Sequence, residues 1–96
     1  MPEANLSLKV LPVVDEKDIY PLVDQVIAMI KDSGLNYVVS PNDTTIEGDL
    51  DSLLNLVKKA QLICVAAGAP RVISVVTIDY KPSGVTIDEK IFPYRS

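Results

Sequence analysis

The segment Gly34-Leu35-Asn36-Tyr37-Val38-Val39-Ser40-Pro41-Asn42-Asp43-Thr44-Thr45-Ile46-Glu47-Gly48 sets two short strands back to back between two helical patterns. Gly34 takes the positive φ that closes a helix at little cost. Asn36 to Ser40 then reads as a strand. Thr44-Thr45-Ile46-Glu47, rich in β-branched residues, reads as a second one. Pro41-Asn42-Asp43 is a turn by composition. Gly48 separates this pair of strands from the second helical pattern.

Upstream, residues 4–14 begin with strict alternation, Leu6, Leu8 and Val10 on one side and Ser7 and Lys9 on the other. That is a half-buried strand, ended or bent at Pro12. Asp15-Glu16-Lys17-Asp18 opens a helix, with carboxylates at the positive end of its dipole. Ile19, Leu22, Val23, Val26, Ile27 and Ile30 form its apolar stripe, and Pro21 falls in the tolerant first turn. Downstream, Asp49 or Asp51 caps a second helix. Its main face is read as Leu50, Leu53, Leu54, Val57, Ala60, Gln61 and Cys64, with Leu56 and Ile63 off the stripe. Gly68 stops it and Pro70 forbids continuation. Arg71 to Tyr80 is apolar on both faces, so it is expected to be covered on both sides or to meet another subunit with one. Pro82-Ser83-Gly84 is a turn, and Thr86 to Lys90 is long enough for one helical turn.

The order is strand-helix-strand, then strand-helix-strand, in a single domain over residues 1–96. Two such units make an α+β, ferredoxin-like β-α-β-β-α-β plait: a four-stranded antiparallel sheet with two helices on one face. Right-handed crossovers place the first and third strands at its centre. The other sheet face then lacks a helical cover, so its apolar residues are expected to form a homodimer or homotetramer interface.

Composition narrows the function. With 96 residues, 48% hydrophobic, one cysteine and no histidine, neither a disulfide framework nor a usual zinc site can be assembled. The residue most used as a general base at neutral pH is missing, so no catalytic residue is assigned. The net charge of -4, scattered basic residues and 5% aromatics argue against nucleic acid. No stretch is long and apolar enough for a membrane span. Met1-Pro2-Glu3-Ala4-Asn5 lacks a basic, then apolar, secretory signal, so a cytoplasmic protein is expected.

The chemistry concentrates in Ser40 to Gly48. If Ile46 points under the helices, Thr45 and Glu47 point to the open face, beside Ser7 and Lys9. Glu47 there either accepts hydrogen bonds from a ligand or pairs across the strands with Lys9. Cys64 on an apolar helix face is a core residue. Arg71 at a strand entrance suits a capping or surface role ahead of anion binding, and Asp79-Tyr80-Lys81 either edges a pocket or ends a solvated strand. Asp49 and Asp51 lack the remaining ligands of a calcium loop.

Taken in order, several segments resemble a known family. They are Leu6-Ser7-Leu8-Lys9-Val10 with Pro12, Ser33 to Tyr37, Ser40 to Gly48, Arg71-Val72, Ile78 to Lys81 and Gly84 to Lys90. Together they resemble the small thiamine-binding proteins related to the YkoF-like group, and Pro-x-x-Thr-x-Ile-Glu-Gly is the most specific element. The resemblance implies a ferredoxin-like subunit, assembled as dimers or tetramers, that binds thiamine or its hydroxymethylpyrimidine moiety without catalysis or a separate cofactor. Carried over by position, the ligand-binding set is Ser40, Asn42, Asp43, Thr44, Thr45 and Glu47, with Ser7 and Lys9 from the adjacent strand. Ser40 stands where members often have glycine, which restricts the backbone before Pro41. The competing readings are an assembly module without a small ligand, an enzyme on the same plait and an RNA-binding plait.

Overall fold

Alternation in the first strand and a three-four spacing in each helix converge on one buried layer. The computed structural model describes residues 2–94. The elements are β1 (Ala4–Pro12), α1 (Glu16–Asp32), β2 (Tyr37–Val39), β3 (Thr44–Gly48), α2 (Leu50–Ala66), β4 (Val72–Tyr80) and α3 (Ile87–Ile91), with a 3-10 turn, Phe92–Tyr94, after them. The sheet order is β2-β3-β1-β4, antiparallel throughout, so the first and third strands occupy the centre as the crossover rule requires.

Leu6 stands opposite Ile46 on one side and Ile78 on the other, and Leu8 opposite Thr44 and Val76. This register turns Ala4, Leu6, Leu8 and Ile46 toward Leu22, Val26 and Ile30 of α1 and Leu53, Leu56, Ala60 and Cys64 of α2. Burying a side chain such as Leu6 or Ile46 contributes about 1.5–3 kcal/mol. α1 and α2 therefore share one sheet face, and the core lies between.

Asp49 is the cap of α2, its carboxylate accepting the Ser52 N–H at 3.0 Å. The Ser52 hydroxyl and backbone N–H, in that order, hold this carboxyl below its ordinary value. Burial pushes the Cys64 thiol up, in keeping with its place in the core. Gly34, at φ 76, comes after the last turn of α1, and its N–H donates to the Lys31 carbonyl at 3.3 Å.

Three expectations are corrected. Leu56 is buried in the core while Leu54 is 45% exposed. The docked face of α2 runs through 53, 56, 60 and 64, about a residue's rotation from the expected stripe. Of the two settings expected for β4, cover on both sides is not provided by the subunit itself: β4 is an edge strand, and Val75, Ile78 and Tyr80 are all exposed. Lys9 and Glu47 are not cross-strand partners, because the register sets Asn5 opposite Glu47 and puts Lys9 opposite Val75, beyond the end of the β3 ladder.

The tail, to which the sequence assigned no role, crosses the sheet face opposite α1 and α2. Val85 donates its N–H to the Pro2 carbonyl at 2.9 Å, and Val85 and Ile87 are both buried. One end of the otherwise open face is thus walled.

Candidate functional site

A cavity of about 240 Å³ lies where the open face meets α3. Its floor comes from alternate residues of the two central strands and β4: Asn5 and Ser7, Thr45, and Thr77 and Asp79. Period-two geometry puts these on one face, since Ser7 is opposite both Thr45 and Thr77. Val38 of β2 and Ile87 and Ile91 of α3 give it apolar walls, and Ser40 and Lys90 complete the lining.

α3 is held there by backbone and side-chain bonds. Glu47 Oε2 accepts the Ile87 N–H at 2.7 Å, and Glu47 Oε1 accepts from Asn36 Nδ2 at 2.9 Å. Thr86 and Glu89 form a capping box, each side chain accepting the other's backbone N–H. Lys90 Nζ reaches Asp79 Oδ2 at 2.6 Å across the rim, a solvated ion pair worth at most about 1 kcal/mol.

The hydrogen-bonding character of the floor is set by bonds already made. Ser7 Oγ donates its proton to Asp43 Oδ2 at 2.6 Å, so the Ser7 oxygen is left with lone pairs to offer. Asn5 Nδ2 donates to the Val85 carbonyl at 3.3 Å, while Asn5 Oδ1 is buried without a partner among the described residues. Thr45 and Thr77 bring hydroxyls that rotate to suit either role. The floor therefore presents acceptors at Ser7 and Asp79 beside adaptable hydroxyls, under an apolar wall. Such a surface fits a flat, small heterocycle carrying both donors and acceptors.

Seven of the eight candidate residues divide between two places. Ser7, Ser40 and Thr45 line the open-face cavity. Asp43 stands behind it, fixing Ser7. Lys9, Asn42, Asp43 and Thr44 line a second cleft of about 290 Å³ between α1 and the β2–β3 turn, whose rim also includes Ser40. Glu47 lines neither and instead anchors α3.

Over residues 6–95 the chain matches the family model described as thiamine-binding protein. It belongs to the thiamine-binding protein family. A UPF0045 protein of Clostridium perfringens is 50% identical over 95 residues, covering 99% of this chain and 100% of the relative. A structure of the DUF77 domain from Bacillus cereus superposes with a TM-score of 0.92 at 47% identity, over 99% of this chain and 92% of that one. A Thermotoga maritima protein, proposed to act in thiamine biosynthesis or salvage, gives a TM-score of 0.90 at 34% identity, over 98% and 100% of the two chains.

The Pro-x-x-Thr-x-Ile-Glu-Gly element, Pro41 to Gly48, thus forms the β2–β3 turn and β3, contributing Thr45 to the cavity and Glu47 to the tail's anchor. Asn5 and Thr77 are absent from the residues the sequence singles out. Their signal is present all the same: Asn5 keeps the same alternation as Ser7, and Thr77 is, with Ser74 and Asp79, one of the polar positions in a mostly apolar strand. The contribution of Ile87 and Ile91 has no local signal, because it depends on where the tail folds back. Among the described residues no helix is long and apolar enough to cross a membrane.

Proposed function

We propose that this chain binds thiamine, or its hydroxymethylpyrimidine half, in the open-face cavity, as a carrier or sensor in the cytoplasm and without converting it. The observation that carries this reading is the cavity's make-up: a polar floor of Ser7, Thr45, Thr77 and Asp79 set against apolar walls from α3. At about 240 Å³ it is smaller than the roughly 300–1,000 Å³ of pockets for drug-sized ligands. One ring fits better than two, which favours insertion of the pyrimidine with the thiazolium toward the rim. Asp79, at the outer end of the floor and ion-paired with Lys90, puts a carboxylate near such a cationic ring. Family membership supports the same ligand class.

The subunit is proposed to work as a homodimer or homotetramer. On the open face beyond α3, Leu11, Ile73 and Val75 are exposed side by side, and β4 offers a nine-residue free edge. Natural proteins rarely leave an apolar edge of that length unguarded. This strip also favours the second reading, an assembly module with no small ligand.

Titration calorimetry with thiamine, hydroxymethylpyrimidine and thiamine diphosphate separates the two. Saturable heat with stoichiometry near one per chain is expected for the first two. Silence with all three leaves the assembly module.

A further inference from the structure

The two edges of the sheet are unequal. β2 is three residues long, a shortness that guards an edge by itself, whereas β4 is nine residues long and its outer side pairs with no strand among the described residues. The bonds at its two ends show which of its backbone groups are free. The Arg71 carbonyl accepts the Val13 N–H, and the Lys81 N–H donates to the Glu3 carbonyl, so the odd-numbered residues turn their backbone groups toward β1. Val72, Ser74, Val76, Ile78 and Tyr80 therefore aim theirs outward. The usual guards of a long edge are missing. Val72 to Tyr80 holds no proline and no lysine, and Asp79, its one charge, is ion-paired with Lys90.

We infer that β4 is the docking strand for a second copy of this chain, paired antiparallel about a two-fold axis at Val75, so that two sheets become one. This interface rests on the assembly proposed above and gives it a surface and a register; it holds with or without a small ligand. A second copy is the occupant because β4 is apolar and exposed on both faces, with Ile73 and Val75 on the open side and Val76, Ile78 and Tyr80 on the helical side. Covering both takes a partner with a sheet and a helix layer of its own, which an added peptide strand lacks. Two-fold pairing sets residue i against j and j against i, and charge selects the register. An axis at Val76 would place Arg71 against Lys81, two cations. Axes at Ser74 or Thr77 leave Arg71 and Asp79 facing uncharged residues. An axis at Val75 places Arg71 against Asp79, Val72 against Ile78, Ile73 against Thr77 and Ser74 against Val76. The outward backbone groups of Val72, Ser74, Val76 and Ile78 then all find partners. Asp79 lines the cavity floor, so Arg71 of the second copy bounds the outer end of each cavity.

Cysteine cross-linking in the full chain tests the register. At the axis the two Val75 residues form a non-hydrogen-bonded pair with Cα atoms about 4.5 Å apart, within disulfide reach. Val75→Cys should therefore convert most of the chain to covalent dimers under mild oxidation, and the native Cys64 is buried and does not compete. Ile73→Cys and Thr77→Cys should each stay single on a denaturing gel and link only when the two are mixed. All three positions are exposed, so the core is left untouched. Arg71→Glu sets carboxylate against carboxylate and should raise the dimer dissociation constant about tenfold in sedimentation equilibrium. A wild-type chain that assembles while the cysteines fail to link in this pattern, or while Arg71→Glu changes nothing, overturns the interface and leaves the assembly standing. A wild-type chain that sediments as a single subunit overturns both.

Discussion

At the scale of single residues, two kinds of position matter: those whose backbone is special and those whose side chain has a long-range partner. Gly34 belongs to the first kind. An added Cβ there would meet nothing within 4 Å, so any penalty comes from its φ of 76 alone. Gly34→Ala is expected to cost about 1–2 kcal/mol, lowering Tm by about 4–8 °C per kcal/mol in a domain of this size. Thermal unfolding monitored by circular dichroism measures it. This role is readable from the sequence, because a glycine ending an apolar helical stripe has one obvious use. Asn5 is equally readable by alternation, but its importance is not. An asparagine on a solvated strand and one under a tail have the same sequence pattern, and the difference lies in a bond to Val85, eighty residues away.

Among the elements, α2 and α3 show opposite relations between pattern and place. α2 is evident from its apolar content, yet its docking face is not. Apolar neighbours at 53–54 and 56–57 allow two stripes, and only packing against β1 and α1 chooses 53, 56, 60 and 64. Its cap predicts a pH dependence. The Asp49 carboxyl titrates lower in the folded chain than its ordinary 3.8. Its contribution is therefore fully present above that value and lost as pH falls through the lowered one. Asn also caps helices but carries no charge. The stability difference between wild type and Asp49→Asn should stay constant from neutral pH to about pH 5 and change only below the carboxyl's ordinary value. Denaturant melts across that range provide the check. α3, by contrast, is too short to show periodicity, and its position depends on Glu47. Glu47→Ala should free the Ile87 N–H, raising its hydrogen exchange roughly tenfold or more, while Leu6 and Ile46 amides stay protected. Ligand affinity should fall in parallel, through the lost wall.

For the whole molecule, the plait and its strand order come from the succession of elements and the handedness of crossovers. What surrounds the sheet does not. Nothing local says that the tail takes one end of the open face and leaves Leu11, Ile73 and Val75 at the other. That remaining strip makes a prediction about assembly. Val75 stands opposite Lys9 and is 52% exposed, so Val75→Glu should gain a cross-strand ion pair and leave the subunit folded. It should lower the assembly mass to that of the single chain in sedimentation velocity. An unchanged mass would place the interface elsewhere on the surface.

The bonds between β1 and the segments around β4 bear on how the domain is made in the cell. β1 is synthesised well before β4, yet it pairs with Val72–Tyr80 along its whole length, and Pro2 and Glu3 accept bonds from Val85 and Lys81. During translation, the centre of the sheet must wait for these later residues before its second flank can close. Until they emerge, a growing chain carries an apolar strand with an open edge, the condition under which nascent proteins most need shielding from one another. The sheet is completed when β4 emerges, long after β1 has done so. Extensions fused after the tail would have to leave the face that α3 must reach.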